Sequence, residues 1–516
     1  MATYKTPGVY VEEISTLPPS VAEVETAIPA FFGYTAKGDL NSPKRIKSLP
    51  EYEQLFGTAE PETGISIKVK DEMVLDISIV PDKKSRNVLY YALQLYFNNG
   101  GGPCYIVSLG SYKDSAAAAP DVYAQALLTI EKEDEPTLLV FPDAPYHLAP
   151  ADYYSLMNSA LMQCEKLGDR FAIIDVVDNP GPGTPVEKFR NAITNISEQK
   201  KYGAAYYPYL RTTLKYIYDE ETLTIEVVDN DEKAKQIANA QAVVDDLRPK
   251  VAKAKAEAEK PKEDGDDNAK KKNANNAAGD LENQLNKAIQ ALADLTNQLK
   301  KQTFKDLSNK LQNQVKQKIL ELPLHLSPCA AVAGVYAGVD NARGVWKAPA
   351  NVTLNFVTGP VVRITGDEQD DMNVDVNAGK SVNAIRAFAG KGTIIWGART
   401  LAGNDNEWRY INVRRFFNMV EESVKKSTYW AVFEPNTVNT WVTVSAMIEN
   451  YLILKWKEGA LAGSTCKEAF IVRCGLGTTM TPADVLEGRM VIEIGMAVAR
   501  PSEFIILKFS HKLQVS

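Results

Sequence analysis

Histidine and cysteine are scarce in this sequence. Its 516 residues include three histidines, His147, His325 and His511, and five cysteines. No histidine lies four residues from another or beside a pair of cysteines, so the spacing offers neither a Ser-His-Asp triad nor a zinc site. The cysteines are odd in number, widely spread and mostly flanked by apolar residues, which favours reduced, buried thiols.

Motifs that bind nucleotides or metal ions are also missing. The glycine-rich stretches at 100–103 and 390–392 have neither of the spacings, GxxxxGK[ST] or GxGxxG, that place backbone amides around a phosphate. The acidic cluster at 367–375 lacks the register and the closing glutamate of a calcium loop. We therefore predict no catalytic residue, no cofactor and no metal, and interpret these stretches as tight turns and a solvated loop.

Long apolar runs and a strong excess of either charge are absent as well. No stretch approaches the roughly 18 apolar residues of a membrane-spanning helix, and the polar N-terminal sequence does not resemble a secretory signal. The formal net charge of −7 gives no general attraction to nucleic acid. These features predict a protein made in the cytoplasm that neither inserts into a membrane nor contacts nucleic acid.

The chain does contain enough apolar material, 45% of its residues, for two or three folded domains. From about residue 25 to 230, short apolar runs alternate with helical patterns, which predicts an α/β layered domain. The predicted strands cover 28–34, 104–109, 137–141, 171–177 and 204–209, and the predicted helices cover 87–98 and 151–167. Similar patterns return beyond residue 346, with helices predicted at 408–425 and 440–458.

The segment 232–320 has a different composition, rich in Lys, Asn, Ala and Gln, with Phe304 as its single aromatic residue. Apolar residues recur at heptad spacing on both sides of a charged, Asn-rich stretch. This pattern predicts an antiparallel coiled-coil hairpin whose first helix is kinked by Pro249. The segment has 18 Lys and Arg against 13 Asp and Glu, which fits a solvated coiled-coil face or, less simply, attachment to a surface.

Both ends of the chain carry short segments that are apolar on both faces of a predicted strand. The residues are Val9, Tyr10, Val11 and Ile14 near the start, and Phe504, Ile505, Ile506 and Leu507 near the end. Such a strand needs a sheet that covers both of its faces. We therefore predict that the two ends are arms that add to a sheet which one copy of the chain does not fully supply.

Several motifs in the last third of the chain, together with TPGVYVEE at 6–13, resemble the contractile tail sheath family. In chain order they are VNAIR (382–386), KGTIIWGARTL (391–401), WRYINVRR (408–415), WAVFEPN (430–436), TVNTW (437–441), EGALAG (458–463), EAFIVRC (468–474) and PSEFIILKF (501–509). That family includes contractile phage tails, pyocins and extracellular contractile injection systems, with type VI secretion as more distant kin. The resemblance covers 1–35 and 345–516 well, 36–230 only in general pattern and 232–320 not at all.

The resemblance implies a subunit that polymerises as stacked hexameric rings in a helical sheath and contracts to drive an inner tube through a target envelope. Implied partners are further copies of the chain, the inner tube protein, and baseplate and terminator or cap proteins. The particle would be phage tail-like and assembled in the bacterial cytoplasm. Exchange of terminal strands would hold such a lattice together while subunits reorient. Lys455, Lys457 and Glu458 are candidates for contact with the inner tube.

The predicted architecture is therefore a multidomain α/β (α+β) protein. Its parts are an N-terminal linker arm (1–24), an outer α/β domain (25–231 and 321–345), the helical hairpin insertion (232–320) and a core sheath domain (346–516) that ends in a C-terminal arm strand (501–516). Within the core domain, Trp396, Trp408, Trp430 and Trp441 are expected to pack against other side chains. Arg399, Arg414 and Arg415 are expected to pair with carboxylates.

Two other functions fit parts of the sequence. Asp143 and Asp178 follow predicted strands, where α/β enzymes usually carry their sites, so an enzyme of unknown substrate is one alternative. A capsid protein or another tube-forming protein is the second, and it shares self-assembly but not the motifs. An enzyme is expected to run as a small oligomer, whereas a contracted sheath is a wide hollow tube in electron micrographs.

Overall fold

The computed structural model describes residues 20–506, apart from 71, 118, 179–181, 228–230, 260–267 and 301–302. The contacts between residues divide the chain into two compact units. The first comprises the described parts of Met1–Thr58, Asn87–Thr212 and His325–Ser516. The second comprises the described parts of Ala59–Arg86 and Thr213–Leu324, so it is built from two segments that interrupt the first in sequence.

Nine strands form a mixed sheet in the first unit. From one edge to the other they are β12 (Val352–Thr353), β15 (Gly392–Trp396), β14 (Val382–Phe388), β8 (Gly203–Tyr207), β7 (Phe171–Asp175), β6 (Leu138–Val140), β1 (Pro29–Thr35), β5 (Cys104–Ser111) and β2 (Lys44–Ile46). The six strands from β14 to β5 are parallel. The outer strands pair antiparallel with their neighbours. The five strands predicted between 28 and 209 are thereby confirmed.

The central strands are buried along their whole length, which explains their unbroken apolar sequences. Every residue of β1, β6, β7 and β8 is buried, as expected for parallel strands covered by helices on both faces. The helices of the first unit are α1 (Leu49–Phe56), α2 (Leu89–Asn98), α3 (Pro120–Ile130), α4 (Ala144–His147), α5 (Pro150–Leu167), α6 (Pro185–Ala192), α7 (Ser197–Lys200), α11 (Cys329–Arg343), α12 (Gly366–Asn373), α13 (Ile411–Ser427), α14 (Val438–Lys457), α15 (Cys466–Ala469) and α16 (Pro482–Leu486).

Close helix packing supports the sheet through α2 and α11. A Cβ atom at Gly334 would lie 2.4 Å from the backbone oxygen of Tyr96, so only glycine lets these two helices approach this closely. The apolar core beside the sheet includes Phe32 and Phe141, whose rings stack with centroids 4.4 Å apart. The helices predicted at 87–98 and 151–167 correspond to α2 and α5.

Two small sheets complete the first unit. One contains β11 (Leu324–Leu326), β9 (Leu210–Thr212) and β13 (Val357–Pro360) in that order. The other pairs β16 (Phe470–Cys474) with β17 (Ile492–Met496). The helices predicted at 408–425 and 440–458 are present as α13 and α14, and they pack beside β16 and β17 in a shared apolar core.

The second unit has a three-stranded sheet with strand order β10 (Thr224–Val227), β3 (Ile65–Lys70) and β4 (Met73–Ile79). Helix α10 (Asn309–Glu321) packs on this sheet. Phe304, Leu311, Val315 and Ile319 share one buried core with Ile67. The last part of the segment predicted as a hairpin insertion therefore belongs to the core of this unit.

Two long helices, α8 (Asp231–Glu259) and α9 (Asn268–Lys300), occupy the rest of that segment. They pack against each other, with Lys255 Nζ 2.6 Å from Glu282 Oε1. Between residues 235 and 256 of α8, the apolar heptad positions are less exposed than their neighbours, and Val244 and Val251 are buried. Pro249 lies inside α8. Regular coiled-coil geometry and the kink at Pro249 remain predictions.

Strands on both sides of residue 346 share the nine-stranded sheet, because β14 pairs with β8 through Val382 and Ala205. The segment Ala59–Arg86, expected in the outer domain, lies in the second unit instead. The domain limits at 24, 231, 320 and 345 remain predictions. The mixed α/β class itself is confirmed by the sheets and helices described above.

Candidate assembly site

The residues from 408 to 500 form a group that we call the C-terminal cluster. Its core is made by α13 and α14, through side chains such as Phe416, Val420, Ile448 and Leu452. Helix α13 is buried on most of its surface: its apolar residues recur every three or four positions and face the cluster core, and polar residues such as Arg414 and Arg415 are buried as well. The cluster is important because both described ends of the chain are attached to it.

The β16–β17 sheet lies against this core and has only two strands. Its register runs from Phe470 opposite Met496 to Cys474 opposite Ile492. Within the described part of the chain, no third strand pairs with either edge. A two-stranded sheet is marginal by itself, and its outer edges present backbone amides and carbonyls to a further strand. The sheet can therefore accept strands from outside.

The N-terminal segment reaches the C-terminal cluster along α13 and α14. The amide of Ala22 donates to Ser427 Oγ at 3.0 Å, and the amide of Val24 donates to Ser423 Oγ at 3.1 Å. Glu23 forms an ion pair with Lys455 of α14. Burial lowers the pKa of Lys455, but hydrogen bonds to Glu23 and Glu458 outweigh it, so the pKa lies above its ordinary value. We call residues 20–26 the N-terminal root.

A buried ion pair fixes the end of the N-terminal root where the chain enters the fold. Arg415 of α13 pairs with Asp340 of α11, and both side chains are buried. Thr26 joins them, since its hydroxyl donates to Asp340 Oδ2 at 2.6 Å and its carbonyl accepts from Arg415 Nη2 at 2.9 Å. The Arg415 guanidinium also lies over the ring of Tyr336, 4.6 Å from its centroid. Such a network holds the chain in one position.

The C-terminal segment is fixed in the same manner by one carboxylate. Glu503 accepts from Arg399 Nε and Nη2, both at 2.8 Å, from Asn373 Nδ2 at 2.8 Å and from the Tyr410 hydroxyl at 3.0 Å. Burial raises the pKa of Glu503, but the hydrogen bonds and the charge of Arg399 outweigh burial and hold the pKa below its ordinary value. We call residues 499–503 the C-terminal root.

The predicted arm residues beyond this root have no cover in the single chain. Phe504, Ile505 and Ile506 are between 72% and 79% exposed, and residues 501–506 form no strand. Leu507 and the N-terminal residues Val9, Tyr10, Val11 and Ile14 lie outside the described residues. Three large exposed apolar side chains that directly follow a half-buried, ion-paired residue are typical of a segment that binds another molecule. The predicted strands remain predictions.

The three residues predicted to contact an inner tube have different surroundings. Lys455 is 6% exposed and pairs with Glu23 and Glu458. Lys457 and Glu458 are exposed at the end of α14. The structure thus gives Lys455 a role inside the chain, with Glu458 as one of its two partners, while Lys457 is an exposed side chain. Contact of any of the three with an inner tube remains a prediction.

The arginines and tryptophans of the motifs mostly have the roles expected of structural residues. Arg399, Arg414 and Arg415 each pair with a carboxylate, Glu503, Glu421 and Asp340 respectively. Trp441 is buried, and Trp408 packs on Phe417 and Arg414. Trp396 and Trp430 are partly exposed. Cys104, Cys164 and Cys329 are buried free thiols, and the other two cysteines are half-buried.

The aspartates that suggested an enzyme are arranged as structural groups. Asp143 is fully buried, and its carboxylate accepts from the amides of Tyr34 and Val88 at 2.9 and 2.8 Å. Asp178 is exposed. The buried carboxyl at the end of β7 is Asp175, which accepts from the Cys329 amide at 2.9 Å and whose pKa burial raises to about 6.

Among the described residues, no group of three or more His, Cys, Asp or Glu side chains is arranged to hold a metal ion. None of the described helices combines the length and apolar character needed to cross a bilayer.

Sequence reasoning missed the partners of the two roots. No local pattern in the sequence indicates Glu23, Asp340 or Ser423 as partners, because an ion pair or a hydrogen bond joins residues that are distant in the chain. Glu503 was included in a predicted strand, where it was the single charged residue within PSEFIIL. The sequence did contain one indication of this ion pair: a charged residue inside an apolar run, in a region whose motif arginines were expected to pair with carboxylates.

Comparison with protein families matches residues 403–512 to the phage tail sheath C-terminal domain. Among curated proteins, the tail sheath protein of Enterobacteria phage T4 is 26% identical over 183 residues, which is 35% of this chain and 26% of that protein. The tail sheath protein of Vibrio phage KVP40 is 26% identical over 179 residues, 34% of this chain and 25% of that protein. The matched region thus spans about a quarter of the length of these relatives.

Solved structures match over the whole chain. The sheath of the extracellular contractile injection system PVC, in its contracted state, is 26% identical with a TM-score of 0.60, covering 100% of this chain and 99% of that chain. The helical sheath of the anti-feeding prophage, also contracted, is 29% identical with a TM-score of 0.59, covering 99% and 100%. The chain is therefore similar to sheath proteins in its C-terminal domain by sequence and along its length by fold.

Proposed function

We propose that this chain, a homologue of the contractile sheath proteins of phage tails and extracellular contractile injection systems, is the structural subunit of such a sheath. Copies would polymerise around an inner tube and contract to drive that tube through a target envelope. The observation that carries this proposal is the arrangement of the chain ends. The N-terminal root is fixed by an ion pair with Lys455 of the C-terminal cluster, and the C-terminal root by an ion pair with Arg399 just before that cluster. Among the described residues, no strand pairs with the outer edges of the two-stranded sheet in the cluster.

The physical basis is strand addition between copies. An arm of about five residues that pairs with β16 or β17 of a neighbour forms several backbone hydrogen bonds, each worth roughly 0.5–1.5 kcal/mol net. Burial of apolar side chains such as Ile505 and Ile506 adds roughly 1.5–3 kcal/mol each. The roots make each arm a covalent tether with a fixed starting point. Subunits can then reorient as rigid bodies while strand pairing persists, as a two-state lattice requires.

The proposal includes partners and a symmetry. The partners are further copies of the chain, an inner tube protein, and baseplate and terminator or cap proteins. Hexameric rings are favoured because an anti-feeding prophage baseplate with a matching chain was analysed with six-fold symmetry. Lys457 and Glu458 are the proposed tube-facing residues. The particle would be assembled in the bacterial cytoplasm, and the chain would contact neither nucleic acid nor the membrane interior. We propose no catalytic role and no cofactor.

Electron microscopy of purified chain tests the proposal directly. The full-length protein should form hollow tubes, whereas chains that lack residues 1–20 or 503–516 should run as monomers or small oligomers by sedimentation. Replacing Val11 or Ile506 by proline should act in the same way, because proline removes a backbone donor from the strand ladder. Circular dichroism of the truncated chains provides the control for folding.

Two outcomes would count against the proposal. If the full-length protein remains a small oligomer under all assembly conditions, a sheath function is excluded. If chains without arms still form long tubes, lateral contacts alone build the lattice and the arms are not its tethers.

A further inference from the structure

The loop between α13 and α14 carries an aromatic side chain that is fully exposed. Phe433 has a relative exposure of 102% and a backbone φ of 69°. This is the left-handed region, which bulky side chains rarely adopt because of steric strain. The backbone is thus strained at a residue whose phenyl ring is fully exposed to solvent in a single copy.

Several hydrogen bonds hold this loop rigid. It begins with a short 3₁₀ helix, Tyr429–Ala431, and the amide of Glu434 donates to the Ala431 carbonyl at 3.2 Å. Asn436 accepts from the buried Trp441 indole at 2.6 Å and donates to the Arg489 carbonyl at 3.0 Å. A rigid aromatic side chain loses little conformational entropy on binding, which is the property of an anchor residue at an interface.

The loop is attached at one end of the β16–β17 sheet. Arg489 lies three residues before β17 begins at Ile492, opposite Cys474. Exposed apolar side chains continue around this point, with Val432 before the ring and Leu486 and Val491 near Arg489. The loop that carries the ring is therefore attached beside one end of the sheet that is proposed above to accept a neighbour's arm.

A cleft of about 670 Å³ lies at the opposite end of the same sheet. Its apolar wall is formed by Val413, Phe417, Ala462, Met496 and Val498, and the polar residues Asn406, Glu407 and Arg500 also line it. Met496 is the last residue of β17, so the sheet separates the cleft from the Phe433 loop along the strand direction. A protruding ring at one end and a cleft at the other end of one molecule give a head-to-tail contact, which generates an open polymer.

We propose that Phe433 inserts into the cleft of a second copy of this chain, as a contact between subunits that is separate from strand exchange. This inference rests on the proposed sheath function. The occupant is a second copy because the ring and the cleft flank the sheet that is proposed to receive a neighbour's arm. That arm would bring the body of the neighbour alongside both features.

The substitution Phe433→Asn tests the role of the ring. Asparagine tolerates a positive φ better than phenylalanine, so the monomer should melt at the same or a higher temperature. The critical concentration for tube formation should rise by roughly tenfold or more, as expected for loss of an interface anchor. Phe356→Asn is the matched control, because Phe356 is also an exposed phenylalanine with a positive φ of 59°. It should leave the critical concentration unchanged.

Crosslinking identifies the occupant. In a chain whose half-buried Cys466 and Cys474 are replaced by serine, Val432→Cys, which keeps the Phe433 ring, and Ala462→Cys are made separately and mixed before assembly. A short bismaleimide should join the two variants in tubes but not in dilute monomers. A crosslink from position 432 to the inner tube protein, or none between the variants, would overturn the assignment.

The outcomes separate this contact from the sheath function. If the unaltered chain forms no tubes, the sheath proposal fails. If it forms tubes and Phe433→Asn assembles at the same critical concentration, only the contact proposed here fails.

Discussion

Arg399 and Glu503 form a two-point ion pair in which Nε and Nη2 of the arginine each lie 2.8 Å from a different carboxylate oxygen. Arg399 is almost fully buried, and Glu503 is the last residue before three exposed apolar side chains. The pair therefore marks the point where the chain changes from a folded part to an arm. A fixed root is what makes an arm useful as a tether, because a pull on the arm then reaches the fold.

The substitution Glu503→Gln should weaken this root. It leaves the buried Arg399 without its charge partner, and the loss of hydrogen bonds to charged groups costs roughly 1.5–3 kcal/mol. We expect a lower free energy of unfolding in urea and fewer or shorter tubes. Glu221→Gln on the exposed pair with Lys305 in the second unit is the control and should change neither. Unaltered tube formation by Glu503→Gln would show that the root is not needed.

The root should also depend on pH in a predictable direction. Because the pKa of Glu503 is lowered in the folded chain, its contribution to stability is present above the ordinary glutamate range and is lost as the pH falls through the folded pKa. Tubes should therefore shorten on acidification. The Glu503→Gln chain should lose this part of the pH dependence, which sedimentation at a series of pH values measures.

Lys455 and Lys457 should respond differently to the same substitution. Lys455→Met removes a buried partner of Glu23 and Glu458, so we expect a loss of stability of about 1–3 kcal/mol and weaker assembly. Lys457→Met changes an exposed side chain and should leave the monomer within about 0.5 kcal/mol of the original. Reversal of charge by Lys457→Glu should weaken attachment to the inner tube. Tube attachment that is unchanged in extended particles would exclude Lys457 from that contact.

The buried carboxyl of Asp175 should give the fold a second pH dependence, of opposite direction to that of Glu503. Its folded pKa of about 6 lies above the ordinary value of about 3.9, so its stabilising contribution is complete below the unfolded pKa and is lost as the pH rises through 6. Asp175→Asn keeps an oxygen for the Cys329 amide and removes the buried charge. We expect a higher melting temperature at pH 8 than for the original chain and unchanged tubes. A fall in stability at pH 8 would contradict this account.

The two long helices should be dispensable, but α10 should not. Deleting residues 232–300 with a short Gly/Ser bridge removes α8 and α9 and should leave tubes intact, because their apolar contacts are largely with each other. Extending the deletion to residue 320 also removes Phe304, Leu311, Val315 and Ile319 from a buried core. The longer deletion should expose that core and cause aggregation. Loss of tubes in the shorter deletion would make the helices part of the assembly.

The parts removed by the two deletions differ in how well they could be predicted from the sequence. Heptad spacing is a local pattern, so α8 and α9 could be predicted from the sequence. The packing of α10 on β4 could not, because two segments far apart in the chain meet there and neither contains a local pattern that indicates the other. The same holds for β3 and β10, which pair in parallel through Ile67 and Ile225.

In the assembly site, too, features with a local sequence pattern could be predicted, and features set by tertiary contacts could not. Strands that are buried on both faces, such as β7, need unbroken apolar sequences and could be recognised. Arg399, Arg414 and Arg415 could be expected to pair with carboxylates, but which carboxylates they pair with is set by tertiary structure. Phe433 was included in a motif without a role, since exposure and a positive φ are visible only in the fold.

Insertion of three residues after Ser20 tests whether the arms transmit force. Ser20 is the first residue of the N-terminal root and precedes Val21 and Val24, which pack on the C-terminal cluster. The insertion therefore changes neither the residues that make the contacts of the root nor the predicted strand at 9–14. Three extended residues add roughly 10 Å of slack. Strand pairing and tube formation should persist, because their energies are unchanged. Contraction should become uncoupled, since a slack tether cannot pull on the next ring, and extended sheaths should contract only in part under the electron microscope. Three residues inserted at Gly279 in α9 provide the control, because they lengthen the chain away from both roots. Full contraction with the inserted slack would mean that lateral contacts, and not the arms, pass the movement from ring to ring.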